Sequence, residues 1–448
     1  GLPSTIVGPP DSEGAVGPDH YFQAVNVAFR IFDKQGTPLT GPTPTNALWA
    51  GTGSDCASDI YADPIVVYDE AADRWVLTHL AFVSSPGLVA CMAVSRSPDP
   101  TGDYFLYELE TVGIPDYPKV GVWPDTVHNA YFISTNPGPL GTFDVYAVDR
   151  QSLLAGAEPR PAQMVTGNPN FMRPADLDGS RPAPAGSPGI FYTFRDGGED
   201  YFIPGTPVDT LDLYEFAVDW EDPTQSRWTH TQSFTPPEFA EFNWTVCDRT
   251  VRGECLEQPG TQQKIDSLSW LPMQRLQYRN LGRYETLVGV WTVNAVAEGK
   301  HAALRWFELR RSNGSDWEIA YQGTFAPDDS HRWMASVAID GSGNMAMGYN
   351  VVNAQAGIYP SLRYTVRPVD SPHFLTEATQ IPGSGYADGT AAWGDYSSME
   401  VDPTDNCTFW FTGEYIETSG ASDWRTRISA FRMAGCTGWL RPVPGEDD

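Results

Sequence analysis

Acidic side chains at the heads of apolar stretches are the feature of this chain with the most chemical content. Asp63, Asp116, Asp176, Asp266 and Asp395 open or lie within such stretches, as do the pairs Asp19–His20 and Asp59–Asp63, and Lys119 and Arg332 hold similar places. Carboxylates brought together repel one another unless one keeps its proton, a cation sits between them, or a hard metal ion bridges them. Three chemistries follow. Asp63, Asp266 and Asp395 are expected oxygen ligands for a Ca2+ ion. Asp63, Asp176, Asp266 and Asp395 are candidates for the acid pair of a glycoside hydrolase or polysaccharide lyase, whose two carboxyls stand about 5–9.5 Å apart, with Arg332 holding an anionic sugar. The third chemistry is structural: Asp beside Gly and Pro accepts backbone N–H bonds and fixes turns.

Aromatic side chains on connecting segments form a second group: Trp49, Tyr61, Trp244, Trp270, Tyr359, Tyr386 and Trp393. Flat rings suit the apolar faces of sugars, and they also pack between stacked sheets. Tyr61, Trp244, Trp270 and Trp393, with His331, are the expected ligand contacts. Trp244 leads because the stretch around it contains no obvious core strand. No Gly-x-Ser-x-Gly elbow occurs, and the seven histidines show no paired spacing. Phosphate-binding glycine loops and dinucleotide fingerprints are also missing from the sequence.

The stretches that hold these residues repeat. An apolar stretch, a turn rich in Asp, Pro and Gly, an aromatic stretch and an alternating stretch recur along the chain. The alternating members align as Val25–Asp33, Ala90–Ser97, Phe143–Arg150, Leu211–Trp220, Ala303–Ser312, Ser361–Val369 and Thr426–Met433. Radial repetition of small sheets protects their edges, so the expected fold is an all-β propeller, most simply seven-bladed, in one domain over residues 1–436. An insertion over about residues 236–263 separates blades four and five, and residues 437–448 form a C-terminal tail. Ile265–Ser269 is expected to be the inner strand of blade five. The N-terminal strand is expected to be able to complete the last blade. In such a ring the first residues of the inner strands surround the channel mouth, which is where the acids would meet.

Composition agrees. The 42 Gly and 38 Pro favour turns, and the 15 Trp, 20 Tyr and 21 Phe favour strands and inter-sheet packing. With 28 basic and 57 acidic residues the net charge is −29, which opposes binding to nucleic acid and anionic lipid. No apolar run reaches the roughly 20 residues that span a bilayer. The chain begins at Gly1 without a leader, and its six cysteines fall into neighbouring couples, Cys56 with Cys91, Cys247 with Cys255 and Cys407 with Cys436. These features predict a secreted, disulfide-bonded protein.

Ser97-x-Asp99-x-x-Gly102-x-Tyr104 loosely resembles the Asp-box turn of sialidase-like propellers, a structural motif in that family. Over most of the chain, DPIVVYDEAADRW (Asp63–Trp75), YPKVGVWPD (Tyr117–Asp125), HRWMASVAIDGSGNMAMGY (His331–Tyr349) and WGDYSSMEVDPTDNCTFWFTGEY (Trp393–Tyr415) resemble segments of large secreted bacterial proteins of uncharacterised function. That resemblance implies export and a propeller-like module, and it supplies no catalytic residue. The sequence therefore predicts a calcium-stabilised binding module for an extracellular glycan or polymer. A hydrolase or lyase at the channel mouth, or a self-assembling structural subunit, are its alternatives.

Overall fold

In the computed structural model, the described residues are 8–58, 60, 63–82, 88–109, 116–136, 143–168, 170–197, 208–240, 242–243, 246–247, 254–269, 271–388, 393–420 and 423–439. They form antiparallel meanders that follow one another in chain order. Each alternating stretch singled out in the sequence ends up as the third strand of its meander, for example Leu88–Ser95, Phe143–Asp149, Ala302–Arg311 and Trp424–Arg432. Helix is confined to one short turn-like segment, Arg150–Ala155, and three 3-10 turns among the described residues. The all-β propeller expected from the repeat is the observed fold.

The innermost strands are Glu13–Val16, Ile65–Asp69, Lys119–Trp123, Arg173–Asp178, Leu276–Asn280, His331–Ile339 and Ser398–Val401. Each packs on the next, and Ser398–Val401 packs back on Glu13–Val16, so the circle closes. Between the fourth and fifth sheets the contact becomes a parallel hydrogen-bonded ladder, Ala175↔Leu276 to Asp178↔Arg279. Closure between the first and last sheets relies on aromatic packing: Tyr21 stacks on Trp410 with ring centres 5.3 Å apart, and the Tyr21 hydroxyl pairs with Thr412 Oγ1 at 2.5 Å. The structure differs here from one expectation, because the first described strand, Glu13–Val16, is the innermost strand of its own sheet rather than the outer strand of the last.

Alternating burial explains the cores. Rings such as Phe22 and Trp75, or Tyr364 and Phe431, meet across neighbouring sheets and exclude water. Most tryptophans serve this purpose, Trp49 (1% exposed) and Trp75 (0%) among them. Three disulfides, Cys56–Cys91, Cys247–Cys255 and Cys407–Cys436, join the couples read from the sequence.

A second difference concerns blade five. Ile265 belongs to the strand Lys264–Asp266, which pairs with Glu254–Glu257 in a hairpin of the insertion, and the true inner strand is Leu276–Asn280. Lys264–Asp266 is too short and too polar at its ends to run the depth of the ring. The insertion therefore extends past Gln263 and brings Asp266 with it.

Candidate functional site

Several chain entries to the innermost strands share one backbone feature. Asp11, Asp63 and Tyr117 each lie two residues before such a strand, and their φ angles are +45°, +61° and +52°. This left-handed conformation is uncommon outside Gly, and for a bulky residue such as Tyr117 it is a true outlier. In the sixth sheet, Met334 (φ +49°) stands two residues before Ser336, where strand pairing resumes after an irregularity. The turn aims the side chain at position −2 toward the axis, which is how residues far apart in sequence meet.

At this end of the ring the groups interlock. Asn26 donates from Nδ2 to Asp11 Oδ2 at 2.6 Å and accepts the Asp63 backbone N–H at 2.8 Å. Asp63 Oδ2 accepts the Tyr117 N–H at 3.1 Å. Burial holds the Asp11 carboxyl well above the usual carboxylate range, helped by Asp63 and Asp395. Burial likewise pushes Asp395 up to about 8, with Asp63, Asp266 and Asp116 adding to it and Lys119 opposing. Asp116 is raised by burial and by Asp63.

Lys119 is the cation of the site. Its Nζ lies 3.4 Å from the centre of the Tyr396 ring and 3.8 Å from that of Tyr117, and it donates to Pro118 O at 3.0 Å. Burial, then Arg173, lowers its pKa to about 7, against the pull of Glu13, Asp63 and Asp395. Glu13, fully buried, is raised to about 8, chiefly by desolvation. Arg173 lies 5.4 Å from the Tyr117 ring and donates to Pro272 O.

Further along the axis a second network follows. Arg275, 2% exposed, pairs with Asp176 at 2.7 Å, Asp178 at 2.5 Å and Glu400 at 2.8 Å. Gln277 donates to Asp178 and accepts the Ile339 N–H. Three carboxylates around one guanidinium in a dry interior make a structural brace rather than an open site.

The insertion lies across the first network. Val246, Cys247, Cys255, Leu256 and Ile265 share one apolar cluster with Tyr117, Phe171, Met334, Trp393 and Tyr396, which come from four sheets. Gln258 fixes it by a two-way bond with the Ala387 backbone, at 2.8 and 3.0 Å. The hairpin thereby sets Asp266 beside Asp395.

The expected site residues thus divide. Asp63, Asp266 and Asp395 come together, with Asp116 and Lys119. Asp176 does not join them: it faces Arg275 and accepts the Val122 N–H at 2.9 Å. Arg332, expected near the mouth, is fully buried elsewhere, bound to Glu377 at 2.8 Å, Asp328 at 3.0 Å and the Ser330 carbonyl. Asp19 is exposed in the turn after Glu13–Val16. His331 faces the His301 ring at 6.0 Å, and burial lowers its pKa to about 4. Trp393 is 2% exposed, enclosed by the insertion, and presents no open ring face. Tyr61, Trp244, Trp270 and Asp59 lie outside the described residues.

Among the described residues no group of three or more His, Cys, Asp or Glu side chains is placed to hold a metal ion. The sequence reading missed Asp11, Glu13, Tyr117 and Tyr396. The available signal was the spacing of two residues from Asp11 to Glu13, Asp63 to Ile65 and Tyr117 to Lys119, which becomes visible only once the strand starts are known.

The chain is an all-β propeller with a cation-centred cluster of carboxyl groups at one end of its axis. No protein family matches the chain, and no curated protein matches it. Among solved structures it is similar to a protein of unknown function from Dyadobacter fermentans (10% identity, 82% of this chain and 77% of that one, TM-score 0.34). It is also similar to an exo-β-1,3-galactanase from Clostridium thermocellum (11%, 97% and 95%, 0.33) and an α-L-arabinofuranosidase from Lactobacillus brevis (10%, 86% and 96%, 0.34). Likenesses this distant carry no argument about what this chain does.

Proposed function

We propose that this protein is a seven-bladed extracellular propeller that binds a glycan, or another hydroxyl-rich polymer, at the axial end formed by Asp11, Asp63, Asp116, Asp266 and Asp395. The observation behind this reading is the convergence itself: carboxyl groups from separate sheets and from the insertion gather around one lysine. Asp116 and Asp395 are only partly buried, so the cluster reaches the surface. Asp395 Oδ1 and Asp11 Oδ1 have no hydrogen-bond partner among the described residues. Both oxygens are buried, so a sugar hydroxyl would satisfy them only once the entrance beside Asp116 and Asp395 widens, and the disulfides suit an oxidising exterior. Binding of full-length protein to a glycan array, compared with Asp63→Asn and Asp395→Asn, tests the reading. It fails if the array retains nothing, or if both variants bind like the parent.

One observation favours hydrolysis as a second reading. Asp395 keeps its proton near neutrality beside a second carboxyl, Asp63, the arrangement in which one group acts as general acid and the other as base or nucleophile. Release of reducing sugar that disappears in Asp395→Asn supports it. Calcium is a separate expectation, and a rise in unfolding temperature with added Ca2+ that is lost in Asp266→Asn would support it.

A further inference from the structure

The outer strands Gln163–Asn168 and Arg227–Phe234, from the third and fourth sheets, border a surface groove of about 480 Å³. Small-ligand sites occupy about 300–1,000 Å³, and this one combines apolar rings with a few polar groups in the same way. Trp228 stacks on Tyr214 with ring centres 5.3 Å apart and meets Phe191 edge-on at 5.0 Å. Trp220 donates from Nε1 to Asn129 O at 3.0 Å, and the Arg160 guanidinium lies 4.9 Å from its ring centre. Arg160 is itself held by the buried Asp149 at 2.8 Å and by Glu221 at 3.2 Å. Both indoles are therefore fixed before any ligand arrives, yet both remain partly exposed. Met164, 40% exposed, extends the apolar floor.

The polar groups are equally fixed. Gln163 donates to Asp219 O at 2.7 Å and accepts from Ser226 Oγ. Among the described residues Arg160 is the groove's single lining cation, and its charge is already met by two carboxylates. The chain charge of −29 and the pairing of Arg160 disfavour an anionic occupant, and no carboxylate lines the groove among the described residues to hold a cationic one, which leaves an uncharged occupant.

We propose that this groove is a carbohydrate site that takes a neutral pentose or hexose unit, its apolar ring face on Trp220 and Trp228 and its hydroxyls on the Arg160 and Glu221 side. It is separate from the axial cluster and does not depend on that cluster binding anything. Rigid aromatic faces lose little conformational entropy on contact, which is why they serve as anchors.

The test is titration of the full chain with neutral pentose and hexose oligosaccharides and with their uronic-acid counterparts, following tryptophan fluorescence and heat. The neutral set is expected to bind, the uronic set to bind at least about tenfold more weakly, and Trp228→Ala to weaken neutral binding by about tenfold or more. The double variant Asp63→Asn/Asp395→Asn, which removes any axial binding, is expected to keep the share of neutral-sugar binding that Trp228→Ala removes, which separates the groove from the axial site. Should Trp228→Ala unfold the sheet, Met164→Glu on the exposed floor gives the same reading without touching the core. The proposal is overturned if no neutral sugar binds, if Trp228→Ala and Met164→Glu both bind normally, or if uronic sugars or unstructured peptides bind better.

Discussion

Lys119 and Tyr396 form the closest cation–ring contact at the axial site, with Nζ 3.4 Å from the ring centre. Tyr117 closes the other side at 3.8 Å, so the ammonium is sandwiched between rings from the third and seventh entries to the axis. A desolvated ammonium over aromatic faces gains about 2 kcal/mol, which partly offsets its burial. Lys119 also lowers the proton affinity of Asp395 and Glu13. Replacing it by Met should therefore move the Asp395 titration, followed by carboxyl NMR, above its present value of about 8. A shift downward would remove Lys119 from the site's electrostatics.

The folded chain should be more stable on the acid side of neutrality. Burial raises Asp395 and Glu13 to about 8, Glu70 to about 7, and Asp176 and Asp340 to about 6. Between its ordinary and its raised pKa, each such group is protonated when folded and ionised when unfolded. The folded state then binds more protons, and stability falls with rising pH by up to about 1.4 kcal/mol per unit per group. Carboxyls held low by hydrogen bonds, such as Asp149 and Glu377, contribute fully above their ordinary values and are lost only in stronger acid. Lys119, lowered to about 7, opposes the trend only above that pH. Thermal midpoints should be higher near pH 5 than near pH 8, and the reverse order would contradict this account.

Arg275 should be among the least replaceable side chains. Arg275→Met leaves Asp176, Asp178 and Glu400 buried without their shared cation. Removing one partner of a buried ion pair costs about 3–5 kcal/mol, because the remaining charge is uncompensated. Urea unfolding measures it, and a loss below about 1 kcal/mol would mean that water or protonation already relieves the network.

Gly121 permits the third and fourth inner strands to touch. A Cβ there would lie 2.3 Å from the Ala175 carbonyl oxygen and 2.9 Å from its carbon, and backbone cannot retreat as a flexible side chain does. Gly121→Ala should destabilise by about 1–3 kcal/mol through overpacking. Gly36→Ala makes a contrasting control: a Cβ at that position meets no described atom within 4 Å, but the φ of +85° brings backbone strain alone. Equal losses in the two variants would show that close approach is not what Gly121 provides.

The disulfides should rank by the chain they enclose. Cys56–Cys91 and Cys407–Cys436 span 35 and 29 residues, against 8 for Cys247–Cys255. Restricting the unfolded chain contributes about 3.5–4 kcal/mol for the longer loops and about 2.5 for the shortest. Paired Cys→Ser variants, compared by urea unfolding, should follow that order. Loss of Cys247–Cys255 should also weaken glycan binding at the axial end, since this disulfide anchors the insertion whose hairpin carries Asp266 to Asp395.

What depends on local pattern was legible in the residues alone. Alternation and turn residues located the third strands, because a strand facing two neighbours must alternate or fill with apolar side chains, as Phe143–Asp149 does. Cysteine spacing gave the pairings. Local pattern also marked Asp63 and Asp395 as acids ahead of inner strands, whereas Asp266 ends a strand of the insertion.

Which acids meet depends on the folded ring. Asp176 carries the same local signature as Asp63, yet it points to Arg275, because a residue four places into an inner strand sits deeper on the axis than one two places before it. Arg332 looked like an axial cation and turned out to serve Glu377 in its own sheet. Asp11, Tyr117 and Tyr396 carried no separate signal, since their direction is set by left-handed entries and by closure of the ring. Convergence on an axis is a property of how the sheets are arranged around one another, and no local stretch of residues encodes it.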